Sequence, residues 1–381
     1  MSSAKLREIE TAVGQHLDQN HLAGGITMVL RKGHIVHLET HGFRDLEKRI
    51  PMTEDTIFRI YSMTKAIVSV GVMILVEEGE VELDQPITDF FSEFKGLRVY
   101  GEGGNVPPKR MITVRDLLRH TSGFTYGIFG DSPVDRKYRK ADLLASSNDS
   151  TIFIKKLSQL PLLFHPGEDW EYSVADDVLG VMIERISGSS LDRFLQERIF
   201  EPLDMKDTAF HVPLEKRDRF ATYYNFDESG KLTVREETES SSYRFVPRFF
   251  SGGGGLVSTA RDYSRFVLFL QNGGELYGVR LLQSDTVTAM TRDQLPRQAF
   301  PIAIGRERPG IGFGLGFAVK VEDGYESDAP IGEYLWNGIA STHFWISPDH
   351  DLGVITMEQT APYNLNLSHA IKGIIYDAIT D

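Results

Sequence analysis

The chain has 381 residues, 41% hydrophobic and 25% charged, with a formal net charge of −13 and no cysteine. Such a chain can bury a large core, and its acidic excess disfavours partners with phosphate backbones or anionic membrane surfaces. The missing cysteines exclude disulfides, thiolate metal sites and a cysteine nucleophile.

Residues 3 to 20 read as an amphipathic opening helix. This stretch is charged and lacks the apolar centre and small-residue cleavage site of a signal peptide, so a cytoplasmic protein is expected. The run "GGITMVLRKGHIVHLETHGFRD" gives two β-rich stretches broken at Lys32-Gly33, which predicts a hairpin. His37 and His41 flank Glu39 in the second stretch, but H-x-E-x-H on a strand is not the helical zinc motif, and no metal is expected.

From about 62 to 220 the pattern turns helical. The longest apolar run, Ala66 to Val76, is broken by Ser69 and Gly71 and falls short of the roughly 18 residues of a membrane span. "TVRDLLRHTSG" carries a Thr113 cap and a Gly123 stop, and Gly188 divides two further helices. The polar stretch 123 to 150 reads as loop. "SGGGGLVSTARDYSRFVLFLQNGG" is a glycine turn entering a helix, without the lysine of a phosphate loop. Strand-like runs return in "GFGLGFAVKV", "YLWNGIASTHFWISP" and "LGVITMEQT", and a helix over 364–379 closes the chain.

Strands at both ends with helices between them predict an α/β (α+β) fold. A mainly antiparallel sheet, flanked by helices, is expected from 1–61 and 251–381. A helical domain, 62–250, is inserted in it, with the active site at the interface.

Within "RIYSMTKAIVSV", Ser62 and Lys65 are three apart, so on a helix they share a face. Serine is a weak nucleophile until a base takes its proton, and lysine can be that base when its environment favours the neutral form. A Ser62 near the helix start would also feel the positive end of the helix dipole. The spacing alone is equally that of a helix cap with an exposed lysine, and Ser2 with Lys5 repeats it by chance.

The surroundings add more. "TIFRIYSMTKAIVSVGVMILVEEGEVELDQPI" resembles the S-x-x-K region of the serine β-lactamase and penicillin-binding-protein superfamily. "MITVRDLLRHTSGF", "FHPGEDWEYSVADDVLGVMIERISG", "EPLDMKDTAF" and "GGGLVSTARDYSRF" extend the likeness to roughly residues 20 to 360. The resemblance implies a β-lactamase-like fold, with Ser62 as nucleophile and Lys65 as its partner. It also implies a tyrosine in Y-x-N or Y-S-x. Tyr172-Ser173-Val174, between a Pro166-Gly167 turn and a long apolar helix, fits the family context better than the literal Tyr223-Tyr224-Asn225. Tyr172 and Lys65 would share a proton, and either could serve as base.

The third box, K-T-G or H-T-G, is absent. Trp336-Asn337-Gly338 stands in its place and resembles the W-x-G box of family VIII carboxylesterases. By that likeness the amides of Ser62 and Ile339 would form an oxyanion hole. Trp336 cannot make a charge-assisted bond to a substrate carboxylate, which favours neutral esters over β-lactams. Substrate contacts are expected from Trp336, Asn337, Gly338, Ser173 and Tyr126. The aromatics Phe124, Phe129, Tyr243, Phe245, Phe249 and Phe250 are also expected around the cleft, whereas His343 reads as a satisfied strand histidine. Neither a G-x-S-x-G elbow nor an S-D-N triplet occurs.

The expected function is therefore a serine esterase acting on small to medium carboxylic esters through an acyl-serine, with no cofactor. The partner is a small-molecule ester, not nucleic acid or membrane. Acyl transfer, hydrolysis of a β-lactam or D-amino-acid amide, and ligand binding without catalysis are the alternatives.

Overall fold

The computed structural model describes residues 1–324 and 329–380. An eight-stranded antiparallel sheet forms the backbone of the molecule. Its order is Ile311–Phe313, Ala318–Lys320, Tyr334–Gly338, Thr342–Ser347, Leu352–Met357, Gly24–Arg31, His34–Asp45 and Ile50–Pro51. The N-terminal hairpin thus closes onto the C-terminal strands, with Ile26 opposite Met357 and Arg31 opposite Leu352. Its two-residue turn is Lys32-Gly33, both with positive φ (50° and 78°), the conformation that matches the strand twist.

One face of the sheet carries Glu8–Asp18 packed with Asn366–Asp377, and the other carries Ala260–Gln271. The opening helix breaks at Arg7, which separates Ser3–Leu6 from Glu8–Asp18. Among the described residues no helix is long and apolar enough to cross a membrane.

The middle of the chain is helical around Thr64–Glu77. That helix is buried from Thr64 through Leu75, because it packs on Ala175–Ser187 and is apolar all round. Thr113 caps Val114–Leu118 in a reciprocal box with Asp116, and Gly188 ends Ala175–Ser187 with φ 67°. The largest buried cluster includes both sheet and helix residues, from Leu6 to Ala378.

Two parts of 62–250 depart from the expected pattern. Tyr223–Phe226 and Leu232–Glu236 form a hairpin, joined in parallel by Thr360–Ala361. The stretch expected as loop contains the helix Pro133–Ala141. Ser132 and Asp135 cap it reciprocally, with proline in the first turn.

Candidate active site

Ser62 is presented by a short pairing. Ile57–Arg59 runs antiparallel to Val257–Thr259, and Arg59 lies opposite Val257. Two residues after that strand the chain turns sharply at Tyr61, whose φ is 41°. A bulky residue there is strained by about 1–3 kcal/mol, a cost typical of functional turns. The turn is held by Ile60 N–H to the Leu256 carbonyl (3.1 Å) and by the Tyr263 hydroxyl on the Met63 carbonyl (3.1 Å). Ser62 follows in a 3₁₀ turn, half-buried, and Lys65 lies in the first turn of Thr64–Glu77.

The same pairing brings in the glycine turn that precedes Val257. The Lys65 ammonium donates to Ser62 Oγ (3.5 Å), to the Gly253 carbonyl (2.5 Å) and to the Tyr126 hydroxyl (3.0 Å). All three of its donors are therefore used. Tyr126 donates onward to Asp177 Oδ2 (3.4 Å). Asp177 Oδ1 accepts from the Gly253 amide (3.0 Å) and the Ser251 hydroxyl (2.5 Å). Asp177 is fully buried in the first turn of Ala175–Ser187. Burial pushes its carboxyl above the usual range, opposed by the nearby Lys65 charge. Burial, with the Asp177 charge next, holds the Tyr126 phenol protonated. The glycine at 253 is required by space: a Cβ would stand 2.5 Å from both Asp177 Oδ2 and the Tyr126 hydroxyl.

Tyr172 reaches the site differently from the expected proton-sharing pair. Lys65 Nζ lies 4.7 Å from the centroid of its ring, and its buried hydroxyl has no hydrogen-bond partner among the described residues. Its ring packs on Trp336 (5.3 Å) and Tyr126 (5.3 Å). The literal match Tyr223 is elsewhere, against Tyr61 and the buried Arg59.

Trp336-Asn337-Gly338 runs along the strand Tyr334–Gly338. Trp336 is buried, its indole N–H without a hydrogen-bond partner among the described residues, and Asn337 donates to the Tyr363 hydroxyl (2.8 Å). Gly338 lies against the turn at Tyr61, where a Cβ would meet the Ile60 carbonyl at 2.4 Å. That approach sets Gly338 and the half-exposed Ile339 beside Ser62 on the cavity wall.

The cavity above Ser62 has a volume of about 1150 Å³. Tyr126, Phe129, Tyr172, Tyr243, Phe245, Phe249, Trp336 and Ile339 line it. Ser173, expected at the substrate, does not. Its neighbours Tyr172 and Val174 face the cavity, while Ser173 is fully buried with its hydroxyl 3.2 Å from His120 Nδ1. Phe124 packs in the core on Phe94, and Phe250 packs on Phe210; neither lines the cavity. His343 is buried beside Thr356 Oγ1 (3.1 Å). His37 and His41 share the Thr27 hydroxyl (3.0 and 3.2 Å), and burial pulls His37 down to about 4.

Asp177, Gly253, Tyr138 and Arg59 were not singled out from the sequence. Asp177 looks like an ordinary first-turn acid favoured by the helix dipole. Tyr138 could have been found through the Ser132-Pro133-Asp135 start signal. Arg59, fully buried, pairs with Glu236 (2.7 Å) and stacks on Phe220 (4.0 Å) beneath the turn at Tyr61. Nothing in its local sequence marks it.

The Beta-lactamase family profile matches residues 9–372. Protein Rv1367c of Mycobacterium tuberculosis is 34% identical over 96% of this chain and 92% of its own length. Esterase EstB of Burkholderia gladioli is 30% identical over 97% of this chain and 94% of its own. Among solved structures, EstCE1, a hydrolase with promiscuous acyltransferase activity, superposes with a TM-score of 0.84. It covers 98% of both chains at 24% identity, a likeness of fold.

Proposed function

Because this chain belongs to the beta-lactamase family, we propose that it is a serine esterase of the W-x-G type, with Ser62 as nucleophile. The observation that carries the reading is Ser62 Oγ 3.5 Å from a lysine whose other two donors are fixed, on the floor of an apolar cavity. EstB, an esterase by name, supports the same chemistry. We read the cavity as lying at the seam between a sheet unit, 1–61 with 251–381, and a mainly helical unit, 62–250.

In the proposed reaction Ser62 Oγ bonds to the ester carbonyl carbon. Lys65 takes the serine proton as the neutral amine, with its two N–H groups on Tyr126 and Gly253 and its lone pair on Oγ. The amides of Ser62 and Ile339 hold the oxyanion, a contribution on the order of 3 kcal/mol per donor. Tyr172 passes a proton to the leaving alkoxide, leaving an acyl-serine. Water then attacks that carbonyl and gives a proton to the Tyr172 phenolate, while Lys65 returns its proton to Ser62 Oγ as the acid leaves. Trp336, where a cation would be needed to hold a substrate carboxylate, directs the site to neutral esters.

Acyl transfer to a bound alcohol is the second reading, favoured by a cavity with room for an acceptor beside the acyl group. The test is intact-protein and peptide mass spectrometry after a fluorophosphonate probe, with rates on p-nitrophenyl butyrate and nitrocefin. An adduct on Ser62 and an ester rate exceeding the nitrocefin rate are expected. Unlabelled Ser62, or full esterase activity in Ser62→Ala, refutes the mechanism.

A further inference from the structure

The cavity over Ser62 has two ends. The near end holds Ser62, Tyr172, Tyr243 and Trp336; the far end is closed by the helix Pro133–Ala141, the loop 142–148 and the segment 245–249. Tyr138, Leu143, Leu144, Asn148, Val246 and Phe249 form its walls. Gly127 ties the segment carrying Tyr126 to the helix carrying Tyr138. A Cβ there would meet the Tyr138 Cβ at 3.0 Å, and the residue before it, Tyr126, holds Lys65.

The far end is firmly built. Asn148 is 3% exposed and donates to the carbonyls of Asp142 (3.1 Å) and Leu143 (2.8 Å), while Lys156 donates to it (3.1 Å). Phe249 stacks on Phe153 at 4.9 Å. These contacts shape the loop and its wall around open space. At about 1150 Å³ the whole cavity exceeds the roughly 300–1,000 Å³ of most small-molecule sites. A short ester would occupy only the near end.

The wall chemistry narrows what belongs there. Arg139 is turned onto the carbonyls of Gly127 and Gly130 and onto Asp131. Glu236 is paired with Arg59, the buried Arg308 is engaged by other groups of the chain, and Asp142 and Arg248 are exposed to solvent at the margin. At the mouth, Ile128, Phe129, Phe245 and Val246 are all exposed, an apolar rim that reads as a ligand contact. At the far end one polar atom stands apart. Tyr138 is 2% exposed, and its hydroxyl has no hydrogen-bond partner among the described residues. A buried hydroxyl left unpaired costs stability, a cost that a ligand oxygen placed there would relieve.

We infer that this site takes esters in which one half is a bulky, neutral hydrocarbon skeleton bearing a single oxygen remote from the ester. The skeleton fills the far end, and its oxygen accepts from Tyr138. The inference rests on the esterase reading above and names its substrate class.

Two series matched in leaving group or acyl group test it. One comprises p-nitrophenyl esters of acetic acid and of a decalin carboxylic acid, with and without a ring ketone. The other comprises acetates of phenol and of a tetracyclic phenol, with and without a remote ketone. In at least one series the wild-type kcat/KM should favour the bulky ester tenfold or more. Leu144→Trp, at an exposed wall position, should cut that preference at least tenfold. Tyr138→Phe should abolish the advantage of the ketone over the plain hydrocarbon. Wild type that favours the small ester in both series overturns the inference, as does a preference that neither variant moves; the esterase reading survives both. An enzyme inert to every ester, acetates included, overturns the esterase reading and this inference together.

Discussion

The Lys65 ammonium donates to the Tyr126 hydroxyl at 3.0 Å, whereas it meets Tyr172 only across the face of its ring. Tyr126 is kept protonated by burial and by Asp177, so it bridges lysine to carboxylate and does not take the serine proton itself. It fixes the nitrogen proposed to do so. Tyr126→Phe should lower kcat on the order of 10²-fold, the scale of a small misplacement of a reacting group, with little change in KM. Tyr172→Phe should cost about 10²–10⁴-fold, as loss of a proton-transferring group does. Steady-state kinetics on one neutral ester compares them. Full kcat in Tyr126→Phe would reduce the bridge to packing.

Asp177 secures both other partners of Lys65 at once, the Tyr126 hydroxyl through one oxygen and the Gly253 turn through the other. Asp177→Asn keeps the shape but loses an acceptor, and a drop in kcat with a lowered unfolding midpoint is expected. Gly253→Ala adds a methyl into the 2.5 Å gaps to Asp177 and Tyr126. It should lose at least as much activity while retaining the far-UV circular dichroism of the parent. Wild-type activity in Gly253→Ala would contradict this packing.

Ser173, His120 and Asp176 form a serine–histidine–aspartate grouping apart from Ser62, with both ring nitrogens 3.2 Å from their partners. All three are at most 1% exposed, and burial lowers the His120 pKa. No substrate reaches them, so the grouping braces the segment that carries Tyr172. Ser173→Ala should cost about 1 kcal/mol of stability, the net value of one hydrogen bond. It should also leave probe labelling on Ser62. A fluorophosphonate adduct on Ser173 would show that this grouping is open.

Glu358 is fully buried, with one carboxyl oxygen unpartnered among the described residues, and burial pushes its pKa up to about 8. The folded chain therefore keeps a proton that the unfolded chain releases near pH 4.5. Between these values the unfolded state binds fewer protons, so stability falls as pH rises, by up to about 1.4 kcal/mol per unit. Glu358→Gln should remove that slope and gain on the parent from pH 5 to pH 8. Urea unfolding at both pH values measures it, and parallel losses in the two proteins would contradict the assignment.

Much of this was legible from local pattern. The Lys32-Gly33 hairpin, the Thr113 cap, the Gly188 stop and the closing helix depend on nearest neighbours and appear where periodicity and capping place them. The helix Pro133–Ala141 was missed although its cap signals are present, because the polar run around it reads as loop. The small hairpin 223–236 was missed because its parallel partner, Thr360–Ala361, lies far along the chain.

By itself the sequence determined the α/β class, the closure of the N-terminal hairpin on C-terminal strands, and the Ser62–Lys65 pair. That pair is three residues apart at the start of one helix, a local geometry. Only the tertiary structure decided who completes the pair. Tyr126 and Gly253 stand 61 and 188 residues from Lys65, and Asp177 joins them from a third segment. It also decided that Ser173 is sealed while Val174 lines the cavity. Hydrogen-bond partners and burial are set by which distant segments cross, and no local pattern carries that information.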